Sequence, residues 1–218
     1  MILVALDTAS PSTVAGVMRA DESVVEARDD PPAGSRGEHA SRLLPLIEQA
    51  LEGTGWGAVE RIAVGVGPGG FTGLRIGIAT ARALAQAHGL PLVPVGSLAA
   101  LAANAEGIVA AVLDARRGEV FAAVYDSGRE LAAPAALPPE ELAARLRRLD
   151  RPVQAVGDGA VRFRAELEGG GVTVPADGSS VHRISAAPLC RLGAMGEPAE
   201  RDRLLPDYLR EPDAKPQR

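Results

Sequence analysis

The chain has 218 residues, a formal net charge of −5 and a pI of about 5.3. The acidic net charge and the lack of a polybasic run argue against independent binding of tRNA or DNA. Apolar residues make up 46% and aromatic residues only 3%, so a sizeable core must be built from Ala, Val, Leu and Ile. Cys190 is the single cysteine, which excludes an intrachain disulfide and a cysteine metal cluster.

Three strands are predicted at the start of the chain. Residues 2–6 form a continuous apolar run that ends at Asp7 and Thr8, which is typical of a buried strand. Asp7 interrupts the run too soon for a signal peptide, and no later run approaches membrane-spanning length. We therefore expect a cytoplasmic protein without membrane contact. Residues 13–18 and 23–27 are the next two predicted strands.

A helix is predicted after a loop at residues 29–34. Ser35 and Glu38 match the capping box S-x-x-E, which marks a helix start. Apolar residues then recur at helical spacing and form one stripe, made of Ala40, Leu43, Leu44, Ile47, Ala50 and Leu51. Pro45 should kink this helix, because proline lacks the backbone N–H. Gly53 and Gly55 should end it.

Residues 65–77 form a glycine-rich turn between a predicted strand, 61–66, and a predicted helix, 72–88, which Thr72 is expected to cap. Three of the glycines fit the dinucleotide fingerprint G-x-G-x-x-G, but no acidic residue follows at the distance that the ribose requires. A Walker A loop is excluded, because the only lysine is Lys215. A tight turn without a ligand, an anion site and a close-packed contact surface remain open.

The second half of the chain echoes the first. Residues 108–113 form an apolar strand that ends in Asp114, and a tight turn leads to a returning strand, Glu119–Asp126. Residues 91–95 and Val153–Val156 are further predicted strands, and residues 97–104, 138–149 and 187–194 are predicted helices. From residue 211 the chain lacks periodicity. We expect an N-terminal lobe, 1–104, with partner-docking helices, and a smaller C-terminal lobe, 105–218.

Five stretches resemble the TsaB (YeaZ) family of tRNA threonylcarbamoyladenosine biosynthesis proteins. They are residues 2–8, 39–47, 67–75, 114–120 and 206–210, of which 67–75 (Gly-Pro-Gly-Gly-Phe-Thr-Gly-Leu-Arg) is the most specific. Residues 127–200 show little recognisable resemblance to the family. The chain departs from the family pattern at Ala9 and Gly70, where a serine is common, and both departures remove a hydroxyl near the glycine-rich turn.

The resemblance implies an α/β, actin-like two-lobe fold of the ASKHA (ribonuclease H-like) type. It implies a non-catalytic subunit that forms a heterodimer with TsaD. TsaD transfers threonylcarbamoyl from threonylcarbamoyl-AMP to N6 of adenosine 37, in tRNAs that read codons beginning with adenine. The ATPase TsaE would be the third member, and tRNA would be contacted only indirectly through the complex.

Catalytic and metal-binding residues are not predicted. Related catalytic subunits hold a metal with two histidines on one helix, whereas His39 is followed by Arg42 and Leu43 on its face, and His88 and His182 lie far away in sequence. The fold places carboxylates for Mg-nucleotide near the positions of Asp7 and Asp114, although both could equally be structural strand-end residues.

Two sets of candidate residues follow from the resemblance. The nucleotide- or phosphate-facing candidates are Asp7, Thr8, Gly69, Gly70, Thr72 and Asp114. No tightly bound cofactor is expected, and ATP or ADP is allowed at the complex interface. The partner-interface candidates are His39, Leu43, Leu44, Ile47, Leu51, Gly73, Leu74, Gly77 and Ala81.

These interface residues are expected to pack against two equivalent helices of TsaD, or of a second copy when TsaD is absent. A bulky residue at Gly77 is expected to abolish assembly and leave the monomer folded. Two other functions are weighed against this one. An ATP-dependent small-molecule kinase of the same fold would need an adenosine-binding glycine motif, for which residues 169–171 are a poor candidate, and a metallopeptidase would need the missing histidine pair.

Overall fold

The computed structural model of the chain describes residues 1–32, 34–35 and 37–210. The first of two sheets within these residues has the strand order β3–β2–β1–β4–β5. Its strands are β1 (Leu3–Asp7), β2 (Thr13–Met18), β3 (Val24–Asp29), β4 (Arg61–Gly67) and β5 (Leu92–Gly96). Because β1 and β4 are parallel, their carboxyl ends lie at the same edge of the sheet.

The second sheet repeats the pairing scheme of the first. Its strands are β6 (Ile108–Arg116), β7 (Glu119–Asp126), β8 (Arg129–Leu137) and β9 (Val153–Val156), in the order β8–β7–β6–β9. In each sheet the first strand pairs antiparallel with the second and parallel with a later one. The echo predicted between the two halves is therefore confirmed.

The helices form three layers around the sheets. They are α1 (His39–Ala50), α2 (Phe71–His88), α3 (Ser97–Ala102), α4 (Pro139–Arg147), α5 (Asp158–Arg162), α6 (Arg164–Gly169) and α7 (Ala186–Met195). Helices α1 and α2 cover the outer face of the first sheet, and α4 packs on the outer face of the second. Helices α3 and α7 lie in the core that the two sheets share.

Alternate side chains of the central strands enter different cores. Leu3 packs in the shared core with Val109 of β6 and Leu189 of α7. Its neighbour Val4 points to the other face and packs with Leu43 of α1. Both faces of β1 are therefore buried, and this is why its sequence is a continuous apolar run rather than an alternating one.

Helix α7 comes from the second half of the chain but packs on the first sheet. Gly193 lies directly against Ala63 of β4, where a Cβ would overlap the alanine side chain. Arg61 Nη1 lies 3.4 Å from the carbonyl oxygen of Gly193 and holds the end of the helix. The division into lobes 1–104 and 105–218 stays a prediction, since the sheets follow it and α7 does not.

The predicted capping box is wrong. Helix α1 begins at His39 with Glu38 as its N-cap residue, and no side chain caps it. Ser35 lies before the helix, and its N–H donates to the carbonyl of Pro32 at 2.9 Å. The close approach of Gly37 to the Pro11 carbonyl fixes the path of the chain here. This long-range contact overrides the local capping signal, and α1 continues through Pro45.

Several element boundaries also differ from the prediction. Helix α2 begins at Phe71 with Gly70 as its N-cap, so Thr72 lies exposed in the first turn and does not cap the helix. Strand β8 was not predicted, because it is a largely exposed edge strand that contains Pro134 and has no apolar alternation. Helices α5 and α6 have 5 and 6 residues, too few for a helical period to show. The tail from residue 211 lies outside the described residues.

Candidate functional site

A cleft of about 720 Å³ lies where the two halves of the chain meet. Its walls come from the turn after β1, the amino ends of α1 and α2, the carboxyl end of β6 and residues 207–210. Five of the six phosphate-facing candidates line it, namely Thr8, Gly69, Gly70, Thr72 and Asp114. The structure thus brings together residues that are more than 100 positions apart in sequence.

The glycine-rich turn is held against the turn after β1 by its backbone. Gly67 has a φ of +106°, which favours glycine, and its N–H donates to Ser97 Oγ at 3.2 Å. Gly69 lies so close to Ala9 that a Cβ would overlap the Ala9 carbonyl oxygen. The Gly70 N–H donates to that same oxygen at 2.8 Å. Contact between two turns, rather than a bound ligand, accounts for the glycine at position 69.

Asp7 does not line the cleft, which corrects its assignment as a phosphate-facing residue. Its carboxylate is buried, and it accepts hydrogen bonds from Ser97 Oγ at 2.6 Å and from the Ala9 N–H at 2.8 Å. A Cβ at Gly65 would overlap this carboxylate. Burial raises the pKa of Asp7 to about 6, although the two hydrogen bonds act in the opposite direction. Asp7 therefore joins the ends of β1 and β4 to α3.

Thr8 is the point at which α2 packs on the end of β1. Its Oγ1 donates to the carbonyl oxygen of Gly73 at 2.8 Å. A Cβ at Gly73 would overlap the Thr8 carbonyl oxygen, and a Cβ at Gly77 would overlap Thr8 Oγ1. The row of small residues on α2 thus serves packing within the chain. A bulky residue at Gly77 would disturb the monomer itself, contrary to our expectation.

His39 lies in the floor of the cleft at the first position of α1. It is 8% exposed, and its Nδ1 is 2.8 Å from Thr13 Oγ1. Burial lowers the pKa of His39, with a smaller opposite effect from Asp29. The imidazole is therefore neutral at pH 7 and keeps its second nitrogen, Nε2, for another contact.

Asp114 is held by arginines rather than left open for a cation. Its Oδ2 lies 2.6 Å from Arg162 Nη1 and 3.4 Å from Arg116 Nη1, and its Oδ1 accepts from the Arg116 N–H at 2.8 Å. The Asp114 N–H in turn donates to Asp158 Oδ1 at 3.1 Å. Burial raises the pKa of Asp158, and the nearby Asp114 carboxylate adds to this shift.

Residues 207–210, the closing segment, run along the cleft and contact the first half of the chain. The Asp207 N–H donates to the carbonyl of Val66 at 2.7 Å. The Tyr208 ring stacks on Phe71 with centroids 5.1 Å apart, and its hydroxyl accepts from Arg75 Nε at 2.9 Å. Arg75 also lies over the Phe71 ring at 3.8 Å.

The closing segment also reaches the second half. Arg210 donates to Glu119 Oε2 and to the carbonyl of Ala115, both at 2.9 Å. The segment therefore bridges the glycine-rich turn and the β6–β7 hairpin. Residues 206–210 contributed only to the family resemblance, and no structural role was predicted for them, because the stretch is aperiodic.

The partner-interface candidates mostly face inward, which corrects their assignment. Eight of the nine are buried, namely His39, Leu43, Ile47, Leu51, Gly73, Leu74, Gly77 and Ala81. Only Leu44 is exposed, at 50%. The most apolar stripe of each helix covers the sheet, as the hydrophobic effect requires, and the outward face carries smaller apolar side chains. Ala79 and Ala83 are exposed there, and Ile76 is half-buried.

The three histidines do not meet. His88 stacks on Trp56 with centroids 4.3 Å apart, and His182 Nδ1 accepts from the Gly157 N–H at 3.1 Å. Among the described residues, no three His, Cys, Asp or Glu side chains form a group that could hold a metal ion. Burial raises the pKa of the Cys190 thiol to about 12, so a thiolate is disfavoured there. None of the helices described is long and apolar enough to cross a membrane.

Comparisons of sequence place the chain among known proteins. The family model described as TsaD: tRNA N6-adenosine threonylcarbamoyltransferase matches residues 31–164. A Mycobacterium tuberculosis protein is 33% identical over 98% of this chain and 94% of its own length. The Bacillus subtilis tRNA threonylcarbamoyladenosine biosynthesis protein TsaB is 28% identical over 99% of this chain and 96% of its own length.

Comparisons of structure agree with those of sequence. YeaZ from Pseudomonas aeruginosa superposes with a TM-score of 0.76 at 30% identity, and the match covers 95% of this chain and 99% of that one. The ethanolamine utilization protein EutJ from Carboxydothermus hydrogenoformans, at 17% identity and a TM-score of 0.51 over 87% of this chain and 90% of its own, shares the fold alone. The predicted α/β, actin-like fold of the ASKHA type is confirmed. The chain belongs to the TsaB (YeaZ) family.

Proposed function

We propose that this chain acts in the biosynthesis of threonylcarbamoyladenosine at position 37 of tRNAs that read codons beginning with adenine. The observation that carries the proposal is the match along 99% of the chain to the Bacillus subtilis tRNA threonylcarbamoyladenosine biosynthesis protein TsaB. The Escherichia coli protein of the same name is 37% identical over 136 residues, which is 56% of this chain and 58% of its own length.

In this proposal the chain is the partner of a TsaD subunit, with TsaE as the third member. TsaD performs the transfer of threonylcarbamoyl from threonylcarbamoyl-AMP to N6 of the adenosine. The net charge of −5 supports a role in which tRNA is bound by the complex rather than by this chain. The match of residues 31–164 to the transferase family supports a partner that carries an equivalent pair of helices.

The chain performs no catalysis in this proposal. The buried Asp7 carboxylate is engaged by Ser97 and Ala9, and the Asp114 carboxylate is paired with two arginines. Neither group is placed to orient a metal-bound water, since one lies outside the cleft and the other is neutralised. Binding of ATP or ADP at the interface with the partner stays a prediction.

The docking face is the outward side of α1 and α2. It carries Leu44, which is 50% exposed, together with Ile76, Ala79 and Ala83. The small side chains of α2 leave a shallow surface on which a partner helix could lie closely, with Leu44 beside it. The same face would serve a second copy of the chain when TsaD is absent.

A pair of leucine variants tests this face. Leu44→Asp should abolish co-purification with TsaD, because the aspartate would be buried against the partner without a counter-charge. Leu131→Asp is the matched control, since Leu131 is 42% exposed on the edge strand β8 of the other sheet. Equal co-purification of both variants would show that the docking face lies elsewhere.

Reconstitution of tRNA modification tests the function itself. TsaD, TsaE and the enzyme that forms threonylcarbamoyl-AMP would be combined with tRNA, with and without this chain, and threonylcarbamoyladenosine would be measured by nucleoside analysis. We expect product to form efficiently only when the chain is present. An unchanged yield in its absence would contradict the proposal.

A further inference from the structure

The floor of the cleft contains two helix amino ends. Residues 37–41 at the start of α1 and residues 70–73 at the start of α2 both line it. The first N–H groups of a helix have no acceptor within the helix and carry partial positive charge. Neither helix has an acidic residue in its first turn or a side-chain cap. Both ends therefore present donors to the same space.

His39 gives an independent indication that this space receives a ligand. The side chain is only 8% exposed, and its Nδ1 is occupied by Thr13. Its Nε2 has no hydrogen-bond partner among the residues that the structure describes. This nitrogen lies between two glycines of the cleft wall, since a Cβ would come within 2.5 Å of it from Gly37 and 3.1 Å from Gly73. A side chain at either position would crowd Nε2, so the two glycines keep the space beside this nitrogen free.

The carboxylates of the cleft do not oppose a bound anion strongly. Asp114 is paired with Arg162 and Arg116. Asp158 has a raised pKa because of its burial, and it accepts the Asp114 N–H. Glu38 and Asp207 also line the cleft, and both are exposed, so solvent screens their charge.

We infer that the amino ends of α1 and α2, together with His39, bind an oxyanion, which is the phosphate or carboxylate group of a small ligand. Thr13 donates to Nδ1 in the bound state, so Nε2 carries the hydrogen and donates to the anion. The N–H groups of Thr72 and Gly73, in the first turn of α2, are the backbone donors. This site uses neither Asp7 nor Asp114, and it does not rest on the proposed function.

Titration of the free chain with small anions tests the site. The ring nitrogens of the three histidines and the amides of Thr72 and Gly73 would be followed by NMR on the isotope-labelled full chain. Inorganic phosphate, acetate and chloride would be added at constant ionic strength. We expect phosphate or acetate to shift His39 Nε2 and both amides saturably, and chloride to leave them unchanged. His88, at the opposite end of α2, should not respond.

The two anions separate the two sources of the ligand group. Saturation by phosphate alone identifies a phosphate-bearing ligand, by acetate alone a carboxylate-bearing one, and by both a general oxyanion site. The absence of a saturable shift at His39, or an equal shift at His88, would overturn the inference.

Substitution of the histidine gives a second readout. His39→Gln keeps a donor near the Nε2 position, whereas His39→Asn keeps one only near Nδ1. We expect His39→Asn to weaken anion binding, followed at the Thr72 and Gly73 amides, by roughly tenfold, which is the loss of about one hydrogen bond. His39→Gln should bind nearly as the unmodified chain does, and His88→Asn is the matched control. Unchanged affinity of the folded His39→Asn variant would overturn the role of Nε2.

Discussion

Asp7, the last residue of β1, is buried, and its burial decides what the side chain can do. The carboxylate is buried, and its pKa is raised from 3.8 to about 6 chiefly by loss of solvent. The folded state therefore binds the proton more tightly than the unfolded state. The stabilisation from protonation is fully present below about pH 4 and is lost as the pH rises through about 6. At neutral pH the ionised group costs about 3 kcal/mol, at 1.36 kcal/mol for each pKa unit.

Replacement of this aspartate should change the pH dependence of stability. In Asp7→Asn the side-chain amide can still accept the Ala9 N–H, but it no longer ionises. The free energy of unfolding of the variant should therefore rise, relative to that of the unmodified chain, as the pH increases from 4 to 6. Chemical denaturation of both proteins across this range measures the difference. A difference that is independent of pH would show that Asp7 does not titrate in this window.

Two glycines of the glycine-rich turn, residues 65–77, should respond differently to substitution by alanine. Gly73→Ala should lower the free energy of unfolding by about 1–3 kcal/mol, because its Cβ would overlap the backbone oxygen of Thr8. Gly70→Ala should change it by only about 0.5 kcal/mol or less, since the nearest atom to its Cβ would be the Ala9 carbonyl oxygen at 3.7 Å, and the loss of an N-cap glycine is offset by a less flexible unfolded chain. Thermal or urea denaturation compares them. Equal losses would contradict the close packing of α2 on β1.

At the element scale, the closing segment joins the glycine-rich turn to the β6–β7 hairpin. Tyr208→Ala would remove the stacking on Phe71 and the acceptor for Arg75. The Asp207 amide, which donates to Val66, should then exchange its hydrogen faster by about tenfold, since the lost contacts are worth about 1–1.5 kcal/mol. Arg203→Ala, on a side chain 83% exposed and paired with Glu200, is the control. Unchanged exchange would mean that Tyr208 does not hold the segment.

The sequence predicted elements well where burial produces a clear period. Strand β1, with both faces buried, and helix α2, which ends at Gly89 in the left-handed conformation, are close to their predicted bounds. Strand β8 was missed because an exposed edge strand has no apolar pattern. The capping box failed because a contact between Gly37 and Pro11, far apart in sequence, decided the path of the chain.

The candidate site was predicted less completely than the fold. Predicted residues at a strand end and in the glycine-rich turn, such as Thr8 and Gly69, do line the cleft. The apolar stripes of α1 and α2 were assigned to a partner, whereas a hydrophobic period shows only that a face is buried and not what buries it. The role of Tyr208 depends on a ring more than 130 positions away, and no local pattern carries that information.

At the scale of the whole molecule, two sheets with the same pairing scheme share one core. Alternate residues of β1 and β6 meet there with α3 and α7. The cleft lies at the ends of β1 and β6, so both hairpin turns reach it. Helices α1 and α2 lie on the opposite side of the first sheet from this shared core. Their outer face is therefore free to dock a partner without disturbing the junction between the halves.

The threonylcarbamoyladenosine content of bulk tRNA, in cells depleted of this chain, tests the central claim most directly. We expect the content to fall on depletion. It should be restored by the unmodified chain and by Leu131→Asp, but not by Leu44→Asp, which retains the core and loses the docking face. Unchanged threonylcarbamoyladenosine in depleted cells would contradict the account.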